Sequence, residues 1–359
     1  MKTPQMDSFD PKAPGKAGEY LFGVPCSEEE SNLVVLPVPW EVTTSYQRGT
    51  AQGPQSILEA SPQLDLFDPF GLAFGHPNPW QFGMHMRSIS SEVVEWNRKT
   101  SESAVLVIQH LEGKITLNGS MLDTLIREVN ESSHRLNTWV AEQTRSIVQQ
   151  QKIPAILGGD HSVPFGAIEV LSQAHPGLGI LHIDAHADLR EAYEGFEYSH
   201  ASIMNNVIQK CANVSHLVQV GIRDFSEEEY IFSRDHPKIK TFYDSQISAS
   251  LSMGKSWYAL VQDILKDLPQ KIWISFDIDG LDPSLCPHTG TPVPGGLSYN
   301  QSCQIIQWVV ESGREIVGFD LNEVAPPPKE FGVWDANVGA RLLYKLCSAA
   351  LYSKLRLRG

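Results

Sequence analysis

The chain has 359 residues and a net charge of −14, with 42% hydrophobic and 19% charged residues. That is ordinary globular usage, long enough for one large α/β domain or two small ones. The negative balance argues against nucleic acid or an anionic membrane surface as partner, and no stretch reaches the ~18 apolar residues of a membrane span.

Residues 1–31 are polar, with a Ser-Glu-Glu-Glu-Ser run, and read as an arm that packs on the domain or on a neighbouring subunit. Leu33 to Leu36 is a buried first strand, closed by Pro37 and Pro39. Gly49 and Gly53 allow tight turning, and Pro54 suits the first turn of a helix through Ala60. Thr43, Thr44 and Tyr46 lie in this connection, which reads either as a plain strand–loop–helix link or, by its resemblance to a segment of a known enzyme family, as part of a pocket wall. Residues 62–120 form an atypical extension whose His76 and His85 read as loop or packing residues. Glu92 to His110 has helical periodicity, and Met121 to Gln151 reads as two helices broken near Asn130–Ser133. From 155 onward strands are expected at 155–158, 179–183, 216–221, 239–243, 272–276 and 315–320. Helices are expected at 163–174, 200–210, 226–234, 256–267, 299–312 and 335–350. Such alternation implies a single α/β domain over 32–359, with a mainly parallel sheet covered by helices on both faces. Five cysteines, at 26, 211, 286, 303 and 347, lack metal spacing and read as reduced thiols of a cytoplasmic protein. The N-terminus lacks the apolar core of a secretory signal.

Three strand ends carry the chemistry. Leu178 to Ile183 runs into Asp184-Ala185-His186-Ala187-Asp188, where alternate side chains share one face. Ala155 to Leu157 runs into Gly158-Gly159-Asp160-His161-Ser162, and Ile272 to Phe276 into Asp277-Ile278-Asp279. Ligands at the C-terminal edge of a parallel sheet converge in space. Together these ends offer His161, Asp184, His186, Asp188, Asp277 and Asp279. Two imidazoles and four carboxylates exceed the needs of one divalent ion and suit a two-metal site that activates water. The oxygen-rich, thiolate-free set favours manganese over structural zinc.

These motifs, with the block SFDIDGLDPSLCPHTGTPVPGG from Ser275 to Gly296, resemble the ureohydrolase family of arginase, agmatinase and relatives. The resemblance covers roughly residues 33 to 350. It implies a three-layer α/β/α domain with an arginase-like sheet of about eight strands. By the family pattern His161, Asp184, Asp188 and Asp277 hold one manganese, and His186, Asp184, Asp277 and Asp279 the other. A hydroxide bridging the ions, hydrogen-bonded by Asp188, attacks a guanidinium carbon and releases urea and an amine. His200 matches the family histidine that shuttles protons, and Glu323 the glutamate that pairs with the guanidinium. Thr291, with Thr289, is a candidate for contacts near the leaving group. The resemblance also suggests trimers or hexamers.

The resemblance implies a small cationic guanidino compound as substrate. Leu189-Arg190-Glu191-Ala192-Tyr193 and Ser226 depart from the arginase pattern for holding an amino acid, so arginine is disfavoured and an agmatine-like substrate favoured. The alternative is free guanidine, hydrolysed by a nickel-dependent relative. Trp334, after Pro326-Pro327-Pro328, could then be an aromatic over the pocket that shortens it. Guanidinobutyrate and formimino compounds, an inactive metal-binding homologue and a zinc-dependent deacetylase complete the alternatives.

Overall fold

The computed structural model describes residues 9–15, 17–328 and 332–356. Among them, eight strands form one sheet: β1 (Leu33–Val38), β2 (Met84–Met86), β3 (Ile153–Gly158), β4 (Leu178–Ile183), β5 (Val214–Ile222), β6 (Ile239–Tyr243), β7 (Lys271–Asp277) and β8 (Glu315–Asn322). Every pairing is parallel, in the spatial order β2-β1-β3-β8-β7-β4-β5-β6. The α-helices are α1 (Gly53–Ala60), α2 (Ser91–Leu111), α3 (Gly119–Gln149), α4 (Phe165–Ala174), α5 (Ile203–Lys210), α6 (Glu227–Asp235), α7 (Asp244–Ser252), α8 (Trp257–Lys266), α9 (Tyr299–Glu311) and α10 (Trp334–Arg356).

Strands of two-residue period divide the core into two apolar layers. Ala155 and Leu157 of β3 and Ile272, Ile274 and Phe276 of β7 face one layer, with α1, α8, α9 and α10. Ile156 and Trp273 face the other, with α2, α3, α4 and α5. The result is the expected three-layer α/β/α architecture. Sheets buried on both faces have near-continuous apolar strands, and β3, β4 and β8 are buried almost throughout.

The structure corrects three expectations of the chain reading. Pro37 does not close β1, which runs on to Val38. The β2 pairing ends at Val35↔Met86, so Pro37 lies on the β2 side beyond its last partner, where a missing N–H costs nothing. Asn130 to Ser133 does not break a helix either. The stripe Leu125, Val129, Ser133, Leu136, Val140 is buried without interruption. Asn130 instead donates to the Gly195 carbonyl at 3.1 Å and accepts the Glu197 N–H at 2.8 Å. Finally, the 62–120 segment contains β2, where His85 Nδ1 sits 2.8 Å from the Cys26 carbonyl. Helix α7 also lies where the sequence reading has no element.

Within the 1–31 segment, Leu21, Phe22, Val24 and Cys26 join the same apolar layer as α10. Phe22 meets Tyr344 edge-on at 4.9 Å, and Glu28 pairs with Arg87. Residues 1–8 lie outside the described residues.

Candidate metal centre

Strands β3, β8, β7 and β4 are consecutive neighbours at the centre of the sheet. Their C-terminal ends therefore deliver side chains to one place. Ile183 pairs with Phe276 and Asp277 with Asn322, so the residues after β4, at the end of β7 and after β8 stand side by side. Glycines permit the close approach. A Cβ on Gly159 would lie 1.9 Å from the Trp40 carbonyl oxygen, and one on Gly280 would lie 2.8 Å from the Asp184 nitrogen.

Six ligand-type side chains meet there in two groups that share Asp184. In the first, His161 Nδ1 lies 3.0 Å from Asp184 Oδ2, 3.2 Å from Asp188 Oδ2 and 3.3 Å from Asp277 Oδ2. In the second, His186 Nδ1 lies 3.1 Å from Asp279 Oδ2 and 3.5 Å from Asp184 Oδ1. Asp277 is tied to the second group by its Oδ1, which accepts the Asp279 N–H at 2.8 Å. Asp188 and Glu323 adopt left-handed backbone conformations, with φ of 53° and 64°. For L-residues these cost about 1–2 kcal/mol each. They are held by Met204 and Asn205 N–H groups on the Asp188 carbonyl, and by the Glu323 N–H on the Gly159 carbonyl.

The electrostatics call for cations. Burial, then the carboxylates of Asp279 and Asp184, push Asp277 well above the usual carboxylate range. Burial and Asp184 raise Asp188 to about 6. Burial opposes the charge on Asp184 as well, but His182, His161 and His186 more than offset it and hold its carboxyl well below the usual range. Both His161 and His186 are pulled well above ordinary histidines by these carboxylates, against the effect of burial. Buried like charges this close are stable together only when protons or cations neutralise them. The donor set therefore fits divalent cations.

The hydrogen bonds behind His161 fix its tautomer. Ser275 Oγ donates its only proton to Asp320 Oδ1 at 2.9 Å, so it can only accept from His161 Nε2, 2.9 Å away. Nδ1 is then the nitrogen that faces the three carboxylates, and its lone pair would serve an ion that displaces the Nδ1 proton. By distance alone His182 also qualifies for the first group.

Above the cluster lies a cavity of about 170 Å³, lined by His161, His186, Asp188 and Asp277 and by Glu323, His200 and Thr291. Glu323 is buried. Its Oε1 accepts the His161 N–H at 2.8 Å, and its Oε2 has no partner among the described residues. Burial, then Asp160, raise its carboxyl well above the usual range. His200 donates its backbone N–H to Thr43 Oγ1 at 3.0 Å, and burial with His186 nearby lowers its imidazole to about 4. Thr291 Oγ1 lies 3.4 Å from Asp279 Oδ2. The rim adds Ser45, Arg190, Tyr193, Asp224 and Glu229. Trp334 is not among the lining residues. It is 52% exposed at the start of α10 and donates to the Ser284 carbonyl, so it packs a helix end rather than roofing the pocket. Tyr46 is 75% exposed, whereas Thr43 is buried and bonds Asp160 as well as His200.

Residues 31–348 match the Arginase family. The chain belongs to the arginase family. It is 32% identical over 298 residues to the N(1)-aminopropylagmatine ureohydrolase of Thermus thermophilus, covering 83% of this chain and 84% of that one. It is 29% identical over 330 residues to the guanidinobutyrase of Pseudomonas aeruginosa, covering 90% and 87%. The crystal structure of agmatine ureohydrolase of Thermoplasma volcanium superposes with a TM-score of 0.67 at 21% identity, covering 97% of both chains. The chain is thus an arginase-family ureohydrolase, a hydrolase of C–N bonds in amidino groups. What sequence reasoning missed in it are polar residues that interrupt apolar strands: His182, Gln219, Ser275 and Asp320, all fully buried. The available signal was that interruption, since a polar group in the middle of a buried parallel strand is costly unless it is hydrogen-bonded.

Proposed function

We propose that this ureohydrolase is a binuclear enzyme, with manganese as its ion, that releases urea and an amine from a linear guanidino-amine such as agmatine or its aminopropyl derivative. One observation carries the reading. Two ligand groups joined through Asp184 share a small cavity with the buried, unpartnered Glu323 Oε2. When bound, the two ions supply a hydroxide near neutral pH. The protein's own groups do the rest. Glu323 Oε2 accepts an N–H of the planar guanidinium and orients its carbon, a charge-assisted bond strengthened by burial. Asp188 accepts a hydrogen bond from the attacking oxygen. His200, neutral at pH 7, relays a proton towards the leaving amine at the cavity wall.

The rim supports a second cationic group on the substrate. Glu229 is spent on the Leu189 and Ser226 N–H groups and on Arg190, which leaves Asp224 as the exposed anion of the lining. The relatives named for aminopropylagmatine and agmatine point the same way. Free guanidine with nickel is the second reading, but Trp334 stands outside the lining, so it does not shorten the pocket. Trimers or hexamers, from family likeness, and a cytoplasmic location, from the scattered unpaired cysteines, belong to the same proposal.

The test is urea release from agmatine, aminopropylagmatine, guanidine, arginine and guanidinobutyrate, each with manganese and with nickel. The proposal expects the largest kcat/KM on a guanidino-amine with manganese. Turnover confined to guanidine with nickel would replace it with the second reading, and no urea from any pair would refute both.

A further inference from the structure

Two histidines, His161 and His182, reach the first ligand group: His161 Nδ1 faces three of its carboxylates and His182 Nε2 faces Asp184 alone, and their back-partners tell them apart further. His182 lies in β4 and pairs in register with Gln219 of β5, and both side chains are fully buried. Gln219 Nε2 is 2.7 Å from the Ala187 carbonyl oxygen and 3.0 Å from His182 Nδ1. A carbonyl only accepts, so the amide must turn its NH2 end this way. Thr241 Oγ1 donating to Gln219 Oε1 at 3.0 Å agrees with that orientation. The NH2 group has two protons, one for Ala187 and one for His182 Nδ1. Nδ1 is then an acceptor, and the ring proton sits on Nε2, 2.7 Å from Asp184 Oδ2.

We propose that Gln219 locks His182 as a hydrogen-bond donor to Asp184, which makes it a positioning residue and bars it from the metal ligands. A nitrogen that carries a proton has no lone pair to give an ion. The lock also shapes Asp184. Its Oδ1 accepts the His186 N–H at 2.6 Å and its Oδ2 accepts from His182. Oδ2 also faces His161 Nδ1 at 3.0 Å and Oδ1 faces His186 Nδ1 at 3.5 Å, so each oxygen would have one lone pair left for an ion of its own group. Without the His182 donor, Oδ2 would have a second lone pair free and could turn to chelate one ion.

This inference rests on the two-ion reading of the site, and its test separates the two. Protein labelled with 15N-histidine is followed by NMR before and after loading with diamagnetic zinc, with His182 assigned by its absence in His182→Gln. The expected result is an Nε2–H on His182 in both states. Loss of that N–H on zinc binding, or a proton on Nδ1 instead, would overturn the proposal. Failure to take up any ion would overturn the two-ion reading, while the ion-free spectrum would still report the tautomer. Manganese titration of variants gives the second readout. His182→Gln keeps an amide N–H for Asp184 and should bind within about threefold of the unmodified chain. His182→Leu lacks the donor and should bind about 10- to 100-fold more weakly. Equal affinities in the two variants, both weak or both intact, would contradict the donor role.

Discussion

The floor of the cavity and its rim are made of different kinds of chain. The floor comes from four neighbouring strand ends whose residues are almost all buried, and whose positions are set by register and by close-packed glycines. The rim comes from loops: residues 189–202, the turn after β5 and the connection after β1. There Arg190 is stacked on Tyr193, Asp224 is exposed, and Ala192 and Glu194 have φ of 50° and 57°. Rigid elements hold the reacting groups, and loops select what reaches them. Floor variants should therefore abolish chemistry for every substrate, whereas rim variants should move stability or preference and leave the ions in place.

The largest effect should come from Asp277→Ala, which removes a carboxylate 3.3 Å from His161 Nδ1. Urea release should fall at least about a thousandfold on every substrate, with loss of bound ion. Activity near that of the unmodified chain would remove Asp277 from the floor. Next is Glu323→Gln, which keeps the shape and the acceptor for the His161 N–H but discards the charge. Its kcat/KM should drop about 100-fold on all guanidino substrates with ion content unchanged, since the charge-assisted bond is lost. A drop caused by ion loss would make Glu323 part of the metal site instead.

At the rim the effects should be smaller and depend on pH. Burial and the nearby Glu112 carboxylate push Glu194 up to about 7. A carboxyl raised in the folded state adds stability at low pH, present below about 4.5 and lost as pH rises through 7. Glu194→Gln should accordingly raise Tm above pH 7 but not at pH 4.5, with urea release at saturation little changed. A Tm gain equal at both pH values would show packing rather than charge at work. The smallest effect is expected for Trp334→Ala. Its kcat/KM should stay within about twofold, because the ring lies outside the cavity and surface changes of this kind cost little. A tenfold change in preference towards larger substrates would bring Trp334 back to the pocket.

The candidate ligands of the floor could be picked out because they sit at strand ends, where apolar runs meet Asp and His at two-residue spacing. The alternation from 155 onward gave the sheet for the same reason. Other features depend on contacts the local pattern does not encode. Asn130 looked like a helix breaker because its tertiary partners, Gly195 and Glu197, lie far along the chain. Strand β2 is three residues long and exists only because β1 offers a free edge. The left-handed backbone of Asp188 and Glu323 has no glycine to announce it. Ser275, Asp320 and Gln219 act from behind the ligands, where their value comes from a partner on another strand.

The central claim is that strand ends distant in sequence grip two cations and that both are needed for turnover. Counting ions per chain while urea release is titrated from metal-free protein tests it most directly. The account predicts that activity follows the second ion and saturates at two per chain in the unmodified protein. Full activity at one ion per chain, or in metal-free protein, would contradict it.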